Sequence, residues 1–114
     1  MKANAKIWIE EDGKLVLSGY RVRLLQLIEE AGSLAEAAKV MGLSYRRAWG
    51  KVKELERNLG VPLLESAAGG SGGGGSQLTP EGRKLVARYE RFRIAADTAL
   101  AEAFRVAFPE SRPD

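Results

Sequence analysis

Between Ser44 and Leu59 the chain reads SYRRAWGKVKELERNL, and this stretch gathers Arg46, Arg47, Lys51, Lys53 and Arg57 against only Glu54 and Glu56. Cations at this density suit a polyanion. A guanidinium fork can pair with guanine O6 and N7 in a DNA major groove, worth about 1–3 kcal/mol of base discrimination, whereas an ammonium or arginine on a phosphate adds affinity without sequence information. Arg46 and Arg47 are therefore the candidates for groove contacts, and Lys51, Lys53 and Arg57 those for phosphate contacts. Tyr45 and Trp49 flank the cations, either packing beneath the contact surface or reaching a base methyl. A second cluster, from Arg83 to Arg93, sets five further cations against one Glu. The formal net charge is only +3, so the footprint is local.

Other chemistries are poorly provided for. The chain has no histidine and no cysteine, which removes the common zinc sites, the Ser-His-Asp and Cys-His triads and most general bases. An enzyme would have to work through carboxylates, lysine or tyrosine, and none of these forms a recognisable constellation. The glycine-rich tract GGSGGGGS is followed by no lysine and does not sit in a βαβ setting, so it matches neither phosphate-cradling motif. We expect no enzymatic activity, cofactor or metal. The apolar runs are too short for a membrane span, and MKANAKIWIEEDGK lacks a signal-peptide core, so the expected setting is the cytoplasm.

The cations need a scaffold. Ala48, Val52, Leu55 and Leu59 recur at i, i+4, i+7 and i+11, one apolar stripe on an α-helix, which leaves Arg46, Arg47, Gly50, Lys53, Glu54 and Arg57 outward. Gly50 in a helix interior costs roughly 1 kcal/mol against Ala; either a DNA surface approaches there or the glycine clears a neighbouring helix. Upstream, LAEAAKVMGLSYRRAWGKV has helix-turn-helix spacing. Ala37 and Ala38 permit close crossing, Gly42 makes the turn, and Ser44 caps the second helix. Ser33 and Glu36 form a capping box for the first helix of the pair.

Within its 114 residues, a length for one modest core, the remaining elements follow in order. KIWIEEDGKLVLS reads as a β-hairpin with a three-residue loop at Glu11-Asp12-Gly13, setting Ile9 opposite Leu15 and Ile7 opposite Leu17. Gly19 to Ala31 is a helix burying Val22, Leu24, Leu25, Leu27 and Ile28. Val61 to Ser66 and QLT flank the glycine tract as a second hairpin, the wing, with its tip at Gly70, Ser71 and Gly72; a plain linker is the other reading of that composition. Thr79 caps a last helix, with Pro80 in its first position. Leu85, Tyr89, Phe92, Ala96, Ala99, Ala103 and Val106 then form a heptad seam, which serves either a homodimer or a return onto the same domain.

SYRRAWGKV, GGSGGGGS and QLTPEGRKLV, in this order, resemble the N-terminal DNA-binding domain of the ModE-type molybdate-responsive regulators, and more distantly the LysR-type regulators. The resemblance implies that Ser44, Tyr45, Arg46 and Arg47 face the major groove, that Gly69 to Gly75 form the wing tip, and that the last helix is a dimer linker. The wing of that family often carries a lysine where this chain has Ser71. The C-terminal domains that bind molybdate in the family have no counterpart here, so molybdate is not expected to bind this chain alone.

The expectation is an α+β winged helix-turn-helix with an N-terminal hairpin over residues 1–78, a dimerisation helix over 79–108 and a tail over 109–114. It would bind duplex DNA as a homodimeric transcriptional regulator. The alternative is a winged-helix interaction module that docks a partner protein through its last helix.

Overall fold

The computed structural model describes residues 1–67 and 75–111. Among them the chain forms strands β1 (Trp8–Glu11) and β2 (Lys14–Ser18), helices α1 (Gly19–Ala31), α2 (Leu34–Val40) and α3 (Tyr45–Leu59), strands β3 (Leu64–Ala67) and β4 (Gly75–Leu78), and helix α4 (Pro80–Ala107). Each pair of strands is an antiparallel hairpin. This is the expected winged helix-turn-helix, with one hairpin before the helices and one after α3.

The first hairpin corrects the expected loop. Glu11 pairs with Lys14 across a two-residue turn, Asp12-Gly13, whose residues both have positive φ, 52° and 76°; that turn matches the twist of paired strands. Ile9 faces Leu17 and Glu10 faces Leu15, so Val16 is the extra residue of a bulge. The bulge does the work assigned to a longer loop. It breaks strict alternation, so that Val16 and Leu17 are buried and Leu15 half-buried together.

The helices end where side-chain chemistry ends them. Ser18, Ser33, Ser44 and Thr79 each accept a hydrogen bond from the backbone N–H three residues on, at 3.2, 3.0, 3.1 and 3.0 Å. The capping box is one-sided, because the Glu36 carboxylate pairs with Lys39 at 3.2 Å. Gly42, at φ 68°, makes the helix-turn-helix corner, and Leu43 N–H reaches back to Ala38 O at 2.8 Å. All five apolar residues expected on α1 are buried, and with Leu34, Ala37, Ala38, Ala48, Val52, Leu55, Leu63 and Leu78 they make most of the core. Leu59 is half-buried at its margin. Full burial of a leucine stabilises by about 1.5–3 kcal/mol, so this stripe fixes α3 against α1 and α2.

The wing is held at its root. Gly60 turns left-handed to end α3, and its N–H donates to Glu56 O at 2.8 Å. The Glu56 carboxylate accepts from Leu63 N–H at 2.7 Å and Leu64 N–H at 3.3 Å. Leu63 O accepts from Thr79 N–H at 2.9 Å, and Thr79 Oγ1 donates to Pro62 O at 2.8 Å. On the second strand, Leu78 N–H donates to the Glu29 carboxylate at 3.0 Å and Ser76 N–H to Gly32 O at 2.9 Å.

Helix α4 begins inside this structure and then leaves it. Leu85 and Val86 pack against the core. Tyr89 is 3% exposed, and its hydroxyl donates to Ile7 O at 3.1 Å. Burial, with the nearby Glu90 and Asp97 charges, pushes this hydroxyl above the usual tyrosine value against the opposing pull of Arg93, so it stays a neutral donor. Of the expected seam, Leu85 is half-buried and Tyr89 buried within their own domain, because the first turns of α4 cross the core and only later turns pass beyond it. Phe92, Ala99, Ala103 and Val106 are exposed and Ala96 half-buried. The segment Met1–Ala5 runs back along the far part of α4, enclosing with Leu100, Phe104 and Phe108 a cavity of about 600 Å³. Ser111 Oγ donates to Met1 O at 3.3 Å.

Two outcomes follow from the wing root. A Cβ at Gly82 would sit 2.7 Å from Leu63 O, so Gly82→Ala is expected to lower stability by about 1–3 kcal/mol in urea denaturation, although alanine is the better helix former. Burial pushes the Glu56 carboxyl up, but the Leu63, Lys53 and Leu64 donors and the Lys53 charge outweigh it, and the net shift is below the ordinary 4.5. A lowered folded value means stability that is fully present above 4.5 and lost as pH falls through the folded value. The stability difference between wild type and Glu56→Gln should be flat from neutral pH down to that range and shrink below it, as read by urea midpoints at a series of pH values.

Candidate nucleic-acid interface

Helix α3 turns the Ala48–Val52–Leu55 stripe inward, and this rotation leaves a continuous outer face. Ser44, Tyr45, Arg46, Arg47, Trp49, Gly50 and Arg57 are exposed, while Lys51, Lys53 and Glu54 are half-buried at its borders. Tyr45 is 57% and Trp49 48% exposed, too open for rings packed beneath a surface. A Cβ at Gly50 would meet no atom of this chain within 4 Å. The glycine therefore clears no neighbouring helix here; it keeps a strip of helix backbone bare to solvent.

The five cations divide into two sets. Lys51 Nζ lies 5.3 Å from the centroid of the Tyr20 ring. Lys53 Nζ lies 5.6 Å from that of Trp49 and 2.9 Å from Glu56 Oε1. Both are thus engaged within the chain, the first by cation–π attraction and the second by cation–π attraction and an ion pair. Arg46, Arg47 and Arg57 make no ion pair and no side-chain hydrogen bond among the described residues. The arginines expected to read bases are therefore free to do so. The Ser44 hydroxyl oxygen accepts the α3 cap bond, which leaves its O–H and one lone pair for a ligand.

Sequence reasoning missed Tyr20 and Arg21. Arg21, 14% exposed in its side chain, donates to Lys51 O at 2.7 Å and to the Glu54 carboxylate at 2.9 Å. It locks the start of α1 to the middle of α3 and supplies Glu54 with a counterion. No local pattern marks either residue, since each partner lies about thirty positions away in the chain. On the wing, Ser76 and Gly75 belong to β4, and a Cβ at Gly75 would sit 2.8 Å from Gly32 O, so this glycine allows the strand to close on the end of α1. The expected wing-tip contacts Gly70, Ser71 and Gly72 lie outside the described residues.

Residues 20–83 match the model of the bacterial regulatory helix-turn-helix protein, lysR family. The chain is 42% identical over 96 residues to the molybdenum transport protein ModE of Azotobacter vinelandii, covering 84% of this chain and 36% of that protein. It is 36% identical over 90 residues to the DNA-binding transcriptional dual regulator ModE of Escherichia coli (strain K12), covering 79% of this chain and 34% of that protein. The chain thus spans about a third of the length of these curated relatives. Among solved structures it is similar to the CbnR_DBD-DNA complex, at 25% identity and a TM-score of 0.62, covering 80% of this chain and 99% of that one. The matched residues run from the start of α1 through the first turn of α4, over half of the sequence and all of the basic face: the chain belongs to the lysR family of bacterial regulatory helix-turn-helix proteins.

Proposed function

We propose that this chain binds duplex DNA in a sequence-specific manner as part of a transcriptional regulator, with α3 in the major groove. The observation that carries this reading is the outer face of α3, where three unpaired arginines and two exposed aromatic rings surround the bare backbone at Gly50. Arg46 and Arg47, in the first turn of α3, are assigned to base edges, with Ser44 and Tyr45 beside them, and Arg57 to the phosphate backbone. Lys51, once rotated away from Tyr20, is assigned to the phosphate backbone as well. Gly70, Ser71 and Gly72 are assigned to the backbone beside the groove, where main-chain N–H donors reach phosphates without steric conflict. The name of the Escherichia coli relative, a DNA-binding transcriptional dual regulator, supports a non-catalytic role, for which the cytoplasm is the setting; no helix among the described residues is long and apolar enough to cross a membrane.

The dimer belongs to the same proposal. The exposed face of α4 offers Phe92, Ala96, Ala99, Ala103 and Val106 to a second copy, and its alanines allow close approach. A two-fold axis through this face makes the operator an inverted repeat with half-sites about one helical turn apart or a multiple of it. The same apolar face favours the second reading, a partner-protein module, and salt separates the two. Binding to random duplex DNA should weaken along a straight line in log K against log salt; no binding at low salt leaves only the partner-protein module.

Arg46→Ala should cost about 1–3 kcal/mol on the specific site and little on random duplex, measured by fluorescence anisotropy on both. Equal losses reassign Arg46 to a phosphate. Ala99→Glu, which would bury an unpaired charge at the seam, should convert the dimer to a monomer in sedimentation while circular dichroism stays unchanged, and should weaken palindrome binding steeply. A variant that remains dimeric places the interface elsewhere.

A further inference from the structure

We propose that Glu56 is a positioning residue of this interface, which sets the wing root against α3 and withholds Lys53 from the phosphate backbone. The inference rests on the duplex-DNA reading above.

The carboxylate of Glu56 works in two directions. Toward the wing, Oε2 accepts from Leu63 and Leu64 N–H, while the backbone O of the same residue accepts from Gly60 N–H. One residue thus ties the end of the helix to the first residues of the wing and spans the turn between them. Toward the outer face, Oε1 holds Lys53 Nζ at 2.9 Å, with the Glu56 side chain only 12% exposed. That burial matters: an exposed i,i+3 pair is easily exchanged for a phosphate, but removing Lys53 from a mostly covered carboxylate leaves it with two N–H donors and no counterion at the wing root. Trp49 adds a second hold, its ring beneath the same ammonium. Glu56 is thereby kept neutralised beside a polyanion, and Lys53 serves as its counterion.

Counterion release distinguishes this arrangement from a structural role alone, because each phosphate neutralised adds about 0.9 to the slope of log K against log salt. Binding to random duplex DNA should be titrated with salt for the wild type, Lys53→Met, Glu56→Gln and the double variant, with folding of each checked by circular dichroism. Lys53→Met should leave the slope unchanged. Glu56→Gln should steepen it by about 0.9 as the lysine is released to a phosphate, and the double variant should return it to the wild-type value. Hydrogen exchange at the Leu63 and Leu64 amides should quicken in Glu56→Gln without DNA, as a neutral amide oxygen replaces the charged acceptor.

A slope reduced by about 0.9 in Lys53→Met would overturn the inference, since the lysine would already be on a phosphate. So would a steepening that persists in the double variant, which would assign the effect to the lost acid's repulsion, and so would unchanged exchange at both amides. If Glu56→Gln fails to fold, the Lys53→Met slope decides by itself. Absence of any binding by the wild type would instead defeat the DNA reading, and the inference with it.

Discussion

Leu63 is fully buried where α3, the wing and α4 converge, and its backbone N–H and C=O must both find partners away from water. The N–H finds the Glu56 carboxylate and the C=O finds the N–H of Thr79, which also caps α4 and grips Pro62 through its hydroxyl. Each partner belongs to a different element, so satisfying the backbone of one buried residue fixes three elements relative to one another. Gly82 completes the junction by leaving room for Leu63 O where any side chain would collide. An uncompensated polar group in such a place costs about 1–3 kcal/mol, a large share of the stability of a domain this size. The angle between recognition helix and wing is therefore set by buried backbone chemistry and not by the exposed residues that would meet DNA.

The second strand of the wing is anchored by the same means. Glu29 from α1 receives Leu78 N–H, and the left-handed end of α1 at Gly32 receives Ser76 N–H. Two carboxylates from two helices thus take the strand ends, and each carries a cation, Lys53 at 2.9 Å on Glu56 and Arg83 at 3.2 Å on Glu29. The protein spends part of its basic charge neutralising the acids that hold its shape. What remains free on α3 is arginine, which keeps its charge at any accessible pH and presents a planar fork suited to base edges. Fold and the proposed contacts share the helix, and among its side chains Ser44 and Lys51 serve both.

The helix-turn-helix, the inward stripe of α3, the caps at Ser33, Ser44 and Thr79, and the basic outer face were legible in the sequence. They rest on contacts a few residues apart, so spacing alone specifies them. The outer arginines were legible for the related reason that a helix fixes which positions share a face. The turn of the first hairpin was misread because both loop lengths satisfy the local pattern, and only packing of Leu15, Val16 and Leu17 together on α1 and α3 selects the bulge. Family resemblance named the fold, but it could not say which cations were free.

That division has a physical cause. The sequence by itself determined where the helices start and stop and which stripe they bury, because propensity, capping and periodicity act over one or two turns. The tertiary structure alone decided that Tyr89 turns into its own domain, that Tyr20 stands beside Lys51, and that Glu56 joins the helix to the wing. These meetings depend on chain reversals, at Gly32 and Gly42 for Tyr20 and Lys51 and at Gly60 for Glu56 and Leu63. Even Glu56 and Leu63, seven positions apart, meet only because the left-handed Gly60 folds the wing root back against α3; a one-dimensional pattern records the residues at such a meeting but not the meeting itself.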